Sequence, residues 1–444
     1  MKYVAISPPE WLLKSLIYQI NPRTFSPEGT IAAVTKELPF LHDLGFDIIY
    51  LCPIFEEDDS TDQRFWSPRQ KKSGTNNPKN PYRMNNYFRI DPEYGTIDDL
   101  RQLTSEAHRL GMRVLLDLVY LHIGPNADIL KRHPEFAKQN PDGSFICTEW
   151  NFPRLDFNCE GLREYLWCNM VYYIGEIDSD GFRCDVGDKI PIDFWVEARR
   201  RIQAIKPDAV LICEGSDYSY LLRGFDTSYC FAWHEGLYKV LSGKMTVAEL
   251  IKEEKLRSKN VPVGGLLIRD MENHDQVTDW PERIEILAGH DGMELIQVLN
   301  YAIAGIPMVY CGNELADSSH LNMFSNRFFP GEYEATNREL LKNTESAKRR
   351  CQIMKTLNNW RSASEVLRRG GMEFLDVFKS EDIIAFKRVL KEKSVIFIGN
   401  FGENAEIVPG DLLAGHDLKM SNLAELAGNT LKLQKYGYAA FEKR

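Results

Sequence analysis

The sequence lacks the features that mark membrane-spanning and nucleic-acid-binding proteins. It contains no uninterrupted apolar run of about 18 residues, so no transmembrane helix is expected. Its formal net charge is −10, whereas a nucleic-acid-binding domain usually carries a basic patch. The N-terminal residues show no charged stretch followed by an apolar one, so we expect no secretory signal and a cytoplasmic protein. An acidic protein of this kind is compatible with a neutral substrate.

Cysteine and histidine are not spaced as metal ligands. The nine cysteines contain no C-x-x-C pair, which argues against a zinc ribbon or a thioredoxin-like site. Their odd number, and the apolar runs around Cys52 and Cys213, indicate buried thiols in a reducing compartment. The nine histidines form neither H-x-H nor H-E-x-x-H. A metal-dependent hydrolase is therefore disfavoured, and no metal ligand is predicted.

Nucleotide-binding glycine motifs are also missing, but the pattern of a parallel sheet is present. Neither G-x-G-x-x-G nor a Walker loop occurs. Up to about residue 360, short β-branched or aromatic runs alternate with segments of helical periodicity, which predicts βα units. The predicted strands are 16–20, 47–51, 113–119, 181–185, 209–213, 226–231, 265–269 and 306–311. Eight strands with helices between them predict an α/β fold of the (β/α)8 barrel type.

The rest of the chain predicts one insertion and one further domain. A polar segment over 122–160 follows the third strand, and another polar loop covers 53–82. After Trp360 the pattern changes to four short, partly alternating runs that predict strands: FLDVF (374–378), IIAFKRV (383–389), SVIFIGNF (394–401) and GYAAFEK (437–443). We therefore predict a catalytic barrel over 1–369, with a short inserted loop domain at 122–160, and a C-terminal antiparallel β domain over 370–444.

Four carboxylates lie at or just beyond the ends of predicted strands: Asp117, Asp185, Glu214 and Asp275. Closure of a parallel barrel brings the carboxyl ends of its strands to one face. Each of these residues alone could be a helix cap. Several carboxylates close together raise each other's pKa, because their negative charges repel, and such destabilising clusters are found mainly in active sites. We therefore expect acid/base chemistry at this face.

Two of these carboxylates have opposite surroundings. Arg183 precedes Asp185 by two positions, so both side chains point to the same side of a strand, and the guanidinium is expected to keep Asp185 ionised. Glu214 follows the apolar run VLIC, which is expected to raise its pKa. A nucleophile that must be ionised and an acid that must be protonated are the pair that glycoside hydrolysis requires.

Several spaced motifs resemble those of the α-amylase superfamily, glycoside hydrolase family 13. The four principal ones are Asp117-Leu-Val-Tyr-Leu121-His122, Gly181-Phe-Arg183-Cys-Asp185, Leu211-Ile-Cys-Glu214-Gly and Asn273-His274-Asp275. Flanking segments such as Ile90-Asp-Pro-Glu-Tyr-Gly-Thr and Gly305-Ile-Pro-Met-Val-Tyr-Cys-Gly also match, so the resemblance spans nearly the whole chain in the family's order.

The resemblance implies a role for each matching residue. Asp185 would be the nucleophile, Glu214 the general acid/base, and Asp275 the carboxylate that binds ring hydroxyls and stabilises the transition state. His122 and His274 would bind the same sugar, and Tyr82 would stack on it. Arg183 would orient Asp185, and Asp117 would be the buried partner of Arg183. Arg183 and Asp117 are counted with the substrate-binding residues. The implied substrate is an α-glucan oligosaccharide, and no cofactor is implied.

Three positions depart from the family pattern. Leu121 stands where many members have an asparagine that also ligates a structural calcium, and leucine offers no oxygen donor, so that calcium is predicted to be absent. Arg83 replaces a common aspartate beside the stacking tyrosine, which is expected to change the polarity near the substrate. Val186-Gly-Asp-Lys replaces the Lys-His pair of typical endo-amylases, and valine at this position occurs in members that act on α-1,6 bonds or branched oligosaccharides. Because the 122–160 insertion is short and no export signal is expected, the resemblance implies intracellular maltodextrin-type oligosaccharides rather than raw starch as substrates.

Two other functions remain open from the sequence. An α-glucan transferase or a sugar phosphorylase would use the same glycosyl-enzyme, with a sugar or phosphate in place of water. A non-catalytic amylase-like binding protein is disfavoured, because Asp185, Glu214 and Asp275 are all present together with Arg183.

Overall fold

In a computed structural model of the chain, the described residues are 3–328, 334–376, 378 and 380–443. Within them the barrel and the C-terminal sheet account for most strands, and no helix is both long and apolar enough to span a bilayer. The strands are β1 (Ile17–Ile20), β2 (Ile48–Leu51), β3 (Phe55–Glu57), β4 (Met84–Ile90), β5 (Arg113–Leu118), β6 (Gly181–Cys184), β7 (Val210–Cys213), β8 (Thr227–Ser228), β9 (Ile268–Arg269), β10 (Ile306–Tyr310), β11 (Gly371–Phe374), β12 (Ile383–Leu390), β13 (Lys393–Asn400), β14 (Ala405–Ile407), β15 (Asp417–Ala427) and β16 (Thr430–Lys443).

The helices lie mainly between the barrel strands and around them. They are α1 (Glu10–Lys14), α2 (Pro22–Phe25), α3 (Ile31–Asp43), α4 (Pro68–Lys72), α5 (Ile97–Arg109), α6 (Asp128–Arg132), α7 (Glu160–Gly175), α8 (Ile192–Gln203), α9 (Phe231–Leu241), α10 (Val247–Arg257), α11 (His274–Asp279), α12 (Ile284–Ala302), α13 (Arg338–Leu341), α14 (Glu345–Ala363) and α15 (Glu365–Arg369).

The predicted eight-stranded parallel barrel is confirmed. Its strand order is β8-β7-β6-β5-β2-β1-β10-β9, and a parallel bridge between Ser228 and Leu267 joins the two ends of the sheet. The strands are buried on both faces, which fits the nearly continuous apolar runs of their sequences. The sixth and seventh barrel strands are only two residues long, much shorter than the segments 226–231 and 265–269 predicted for them.

The helix boundaries follow from local sequence signals. The Thr96 hydroxyl accepts from the Asp99 amide, and the Asp99 carboxylate accepts from the Thr96 amide, so a capping box begins α5. After α3, Gly45 adopts φ +90°, a left-handed conformation that glycine tolerates at a helix end. β2 follows α3, and β5 follows α5.

Two connections at the carboxyl ends of the strands are elaborate. The segment after β2 carries the short antiparallel pair β3–β4, and α4 lies between them. The predicted insertion over 122–160 contains α6 and isolated bridges such as Ala137 with Leu155, without a sheet of its own. Both connections lie above the ends of β2 and β5, and they form part of the rim of the site.

The C-terminal segment forms the predicted antiparallel sheet. Its order is β11-β12-β13-β16-β14, with β15 paired to β16. The sequence predicted strands near β12, β13 and β16 but not the long hairpin partner β15. A predicted strand over 374–378 meets β11 only at Phe374, and Val377 lies outside the described residues. The predicted domain division at 369/370 falls between α15 and β11.

Candidate active site

A cavity of about 270 Å³ lies at the carboxyl ends of the barrel strands. It is lined by Ser67, Arg69, Asn80, Tyr82, His122, Trp150, Phe152, Arg183, Asp185, Val186, Glu214, His274, Asp275, Asp279, Met323 and Phe324. A larger depression of about 1740 Å³ lies beside α10, but the sequence-predicted carboxylates are not there. The barrel cavity gathers seven of the eight predicted site residues, so we take it as the candidate active site.

Arg183 connects three carboxylates beneath the cavity. Its Nη1 donates to Asp117 Oδ1 at 2.7 Å and to Asp185 Oδ1 at 3.0 Å, and its Nη2 lies 2.8 Å from Glu214 Oε2. The side chain is almost fully buried. Because β5 and β6 pair in register Asp117 with Arg183, the contact between these two residues is set by the sheet itself.

Asp117 does not line the cavity, unlike the other predicted substrate-binding residues. Its Oδ2 accepts hydrogen bonds from the hydroxyls of Tyr50 (2.7 Å) and Tyr82 (3.2 Å), and its Oδ1 accepts from Arg183. Both carboxylate oxygens are therefore occupied by neighbouring side chains. Asp117 therefore holds the side chains of Arg183 and Tyr82 in place without lining the cavity itself.

The environment of Asp185 and Glu214 differs in part from the sequence expectation. Burial raises the pKa of Asp185, the charge of Glu214 raises it further, and Arg183 acts in the opposite direction. Burial also raises the pKa of Glu214, the direction expected from the apolar run before it, while Arg183 lowers it. Arg183 therefore does not single out Asp185 for ionisation, because it contacts both carboxylates. In the substrate-free protein the pair takes up a proton more readily than two solvated carboxylates would.

A strained backbone turn positions Glu214. Val186, directly after Asp185, adopts φ +38° and ψ +45°, which is unusual for a β-branched residue. Its amide donates to Glu214 Oε2 at 2.7 Å. Since Arg183 Nη2 contacts the same oxygen, Oε2 is bound from two directions and Oε1 is left for other contacts. Strain of this kind is typical of functional sites.

Asp275 is held by a residue that the sequence motifs do not contain. It occupies the first turn of α11, and its Oδ1 accepts from Arg69 Nη1 at 2.6 Å. Burial raises the pKa of Asp275, but the charges of His274, Arg69 and Arg183 outweigh it and hold the pKa below the usual range. Burial lowers the pKa of His274, so its share of this effect grows as the pH falls, whereas the two arginines are charged throughout.

The remaining predicted residues form the wall beside Asp117. The ring of Tyr82 is stacked on His274 with centroids 5.4 Å apart, and its hydroxyl lies 2.5 Å from His274 Nε2. His122 Nε2 is hydrogen-bonded to the Tyr82 carbonyl at 2.9 Å, and burial lowers the pKa of His122 to about 4. Both histidines are therefore neutral near pH 7 and present polar nitrogens beside the carboxylates.

The chain was compared with known protein families, curated proteins and solved structures. A sequence model of the α-amylase catalytic domain matches residues 19–151. A cyclomaltodextrinase of Thermoanaerobacter pseudethanolicus is 26% identical over 479 residues, covering 96% of this chain and 77% of that protein. An intracellular maltogenic amylase of Bacillus subtilis is 25% identical over 450 residues, covering 89% of this chain and 69% of that protein.

The solved structures agree on the fold. The crystal structure of an α-amylase from Lactobacillus plantarum superposes with a TM-score of 0.78 at 22% identity, covering 98% of this chain and 99% of that one. The barrel, the C-terminal sheet and the sequence matches lead to the same assignment. In sequence and in fold, the chain is similar to the α-amylase superfamily of glycoside hydrolases.

The structure bears on two of the departures noted in the sequence. Arg83 is fully buried and does not line the cavity, contrary to the expectation that it changes the polarity near the substrate. Its guanidinium donates to the carbonyls of Asp58, Ser60, Phe65 and Pro78, so it ties the loop after β2 together. The guanidinium is therefore used inside the loop, where buried carbonyls need donors. The Ser60 and Pro78 carbonyls also accept from Trp66 and Gln70.

Leu121 is buried among apolar residues and brings no donor to the place where other members bind calcium. In the described part of the chain, no group of three His, Cys, Asp or Glu side chains is arranged to hold a metal. A leucine side chain supplies no oxygen ligand for calcium, so independence of calcium stays a prediction.

Sequence reasoning missed several residues of the α-amylase-type cavity. Arg69, Asp279, Trp150 and Phe324 line it but were not predicted. Arg69, Trp150 and Phe324 belong to connections without helical or strand periodicity, so no spacing signal marked them. Asp279 follows Asp275 by four residues in a helix, and this i, i+4 spacing could have placed both carboxylates on one face.

Proposed function

We propose that this protein is a retaining α-glycosidase that hydrolyses α-glucosidic bonds of maltodextrin-type oligosaccharides by double displacement. The observation that carries the proposal is the cluster in which Arg183 contacts both Asp185 and Glu214, with Asp275 held opposite by Arg69. Names of relatives, cyclomaltodextrinase and intracellular maltogenic amylase, support a substrate of α-linked glucose units.

In the first half of the reaction, Asp185 attacks the anomeric carbon and the bond to the leaving oxygen breaks. Arg183 occupies Oδ1 of Asp185, which leaves Oδ2 to form the new bond. Glu214 gives its proton to the leaving oxygen. That proton is placed on Oε1, because Oε2 receives the Val186 amide and contacts Arg183.

In the second half, Glu214 removes a proton from water and the hydroxide oxygen attacks the anomeric carbon. The ester bond to Asp185 breaks and the carboxylate is restored, so the product keeps the α configuration. Asp275 accepts hydrogen bonds from ring hydroxyls, and its negative charge favours the oxocarbenium-like transition state. The low pKa of Asp275 keeps that charge present throughout.

A Glu214→Gln variant tests the assignment. General acid/base groups contribute about 10²–10⁴-fold to rate, so release of reducing sugar from maltooligosaccharides should fall by that factor. The matched control is Glu253→Gln, an exposed glutamate on α10, which should leave the rate unchanged. With a fluoride leaving group that needs no acid, azide should restore turnover of the Glu214 variant and yield the α-glucosyl azide. Unchanged hydrolysis in Glu214→Gln would refute the role.

The stereochemistry and the acceptor are read from wild-type protein. Proton NMR of the first product should show the α anomer before mutarotation, and a β anomer would exclude double displacement. Glucose or maltose formed without phosphate supports hydrolysis. Sugar phosphates or lengthened oligosaccharides would mean that phosphate or a sugar intercepts the glycosyl-enzyme instead of water.

We further propose a cytoplasmic location and action on soluble oligosaccharides. The nine cysteines are all unpaired, which fits a reducing compartment, and the Bacillus subtilis relative is named as intracellular. Fractionation of the native host, with the protein detected by antibody, tests this: recovery in the culture medium or on the cell surface would refute it.

A further inference from the structure

Asp188 ties the segment after β6 to the segment after β7. It lies in the turn that follows β6, within the stretch 186–189 that departs from the family pattern. Its Oδ2 accepts hydrogen bonds from the amides of Ser216 at 2.8 Å and Asp217 at 3.1 Å. These amides come two and three residues after Glu214, so the carboxylate of Asp188 binds the backbone of the connection that begins with Glu214.

Gly215 makes this close approach possible. A Cβ atom at position 215 would lie 2.5 Å from Asp188 Cγ, far inside contact distance, so the carboxylate packs directly on a backbone without a side chain. From the β8 side, Ser228 Oγ donates to the Gly215 carbonyl at 3.0 Å and lies 3.2 Å from the Cys213 carbonyl. The backbone on each side of Glu214 is therefore held by a neighbouring side chain.

The same two segments are also linked in the opposite direction. The Val186 amide donates to Glu214 Oε2 at 2.7 Å, whereas Asp188, two residues later in the same turn, accepts from amides that follow Glu214. Val186 thus holds the carboxylate, and Asp188 holds the backbone from which that side chain extends. Asp188 is half-buried and does not line the cavity, so its two hydrogen bonds serve the loop and not the substrate.

We propose that Asp188 is a positioning residue for the general acid, which fixes the backbone of Glu214 so that the carboxyl proton points at the leaving oxygen. The inference rests on the proposed glycosidase function and adds to it a residue outside the cavity. A general acid contributes to rate only while it lies within hydrogen-bond reach of the atom that it protonates. A displacement of about 1 Å can cost about 100-fold in rate. Because Ser216 and Asp217 are exposed, water can replace the carboxylate as their acceptor, so loss of Asp188 frees the segment.

The test compares two substrates with different leaving groups: maltotriose, whose leaving glucose needs a proton, and α-maltosyl fluoride, whose leaving fluoride does not. In Asp188→Ala, kcat/KM for maltotriose should fall at least about tenfold and kcat/KM for the fluoride should change less than about twofold, because kcat/KM reports the step in which the leaving group departs. A general disturbance of the fold would lower both values alike. An equal loss on both substrates, or no loss on either, would overturn the proposal. If wild-type protein hydrolyses neither substrate, the glycosidase function itself is refuted.

Two further variants separate the hydrogen bonds from the charge and from folding. Asp188→Asn keeps a carbonyl oxygen that can accept from both amides, so it should retain at least about one third of the wild-type kcat/KM for maltotriose. A loss as large as that of Asp188→Ala would overturn positioning through these bonds. If Asp188→Ala does not fold, Asp188→Ser, whose hydroxyl is too short to reach both amides, replaces it, and the same comparison of substrates decides.

Asp142→Ala is the matched control. Asp142 Oδ1 also accepts from a backbone amide, that of Ser144 at 3.0 Å, but it does so in an exposed turn away from the cavity. This variant should match wild type on both substrates. A leaving-group-dependent loss in Asp142→Ala as large as that in Asp188→Ala would show that the effect does not come from the loop of Glu214, and would overturn the proposal.

Discussion

Replacing Arg183 by lysine tests how the three buried carboxylates are held. The planar guanidinium reaches Asp117 and Asp185 with one nitrogen and Glu214 with the other, at 2.7, 3.0 and 2.8 Å. A single ammonium on a flexible stem cannot keep all three contacts. Loss of one hydrogen bond to a charged group costs about 1.5–3 kcal/mol. If that cost falls on the transition state, kcat/KM drops about 10–150-fold.

The same substitution should move the pH dependence in a defined direction. The Arg183 charge lowers the pKa of both Asp185 and Glu214, while burial raises both. Weakening the contact with the cation lets burial dominate, so both pKa values rise further. Because Asp185 must be ionised to attack, the acidic limb of the kcat/KM profile is expected to shift to higher pH in Arg183→Lys.

The assay is initial-rate hydrolysis of maltotriose from acidic to alkaline pH, with kcat and KM fitted separately at each value. Arg101→Lys is the control, because Arg101 makes only an exposed i, i+3 pair with Asp98. Circular dichroism at each pH confirms that the variants are folded. A profile for Arg183→Lys that superimposes on wild type, with unchanged kcat/KM, would refute the reasoning that this guanidinium sets the ionisation of the pair.

Two further outcomes follow from the site. Burial raises the pKa of Asp185 in the folded protein, so its contribution to stability is present below the unfolded value of about 4 and is lost as pH rises. Asp185→Asn should therefore raise the melting temperature above that of wild type, with a gap that widens from acidic to neutral pH; a lower melting temperature would contradict this. Because Leu121 offers no donor to calcium, a chelator should change neither activity nor melting temperature, and loss of either would contradict that prediction.

The barrel was predictable because its strands are buried on both faces. Runs such as IIYL and VLIC carry enough apolar residues to be recognised without knowledge of tertiary contacts. The short strands β8 and β9 were predicted too long, since neighbouring residues such as Tyr229 are buried and strand-like in sequence but lie outside the sheet. The hairpin strand β15 was missed because most of it is exposed or half-buried, and its sequence lacks a clear alternation.

The chemistry of the site was easier to predict than its shape. Asp185 and Glu214 directly follow barrel strands, where the parallel sheet fixes their position. Arg69 lies in a five-residue helix within an irregular connection, and only the fold brings it to Asp275. Arg83 was expected near the substrate, but the carbonyls of its own loop bind it. Contacts made through loops depend on tertiary structure that residue spacing does not encode.

Buried arginines have different partners at the two ends of the barrel: carboxylates near the active site and backbone carbonyls at the other end. Near the active site, Arg183 offsets carboxylates whose burial lowers stability. At the amino ends of the strands, Arg361 Nη2 donates to the Gly305 carbonyl and Arg388 Nη1 donates to the Ala302 carbonyl, where α12 ends. A cation at a helix C-terminus satisfies carbonyls that lack intrahelical partners. Because Arg388 belongs to β12, this contact ties the C-terminal sheet to the barrel.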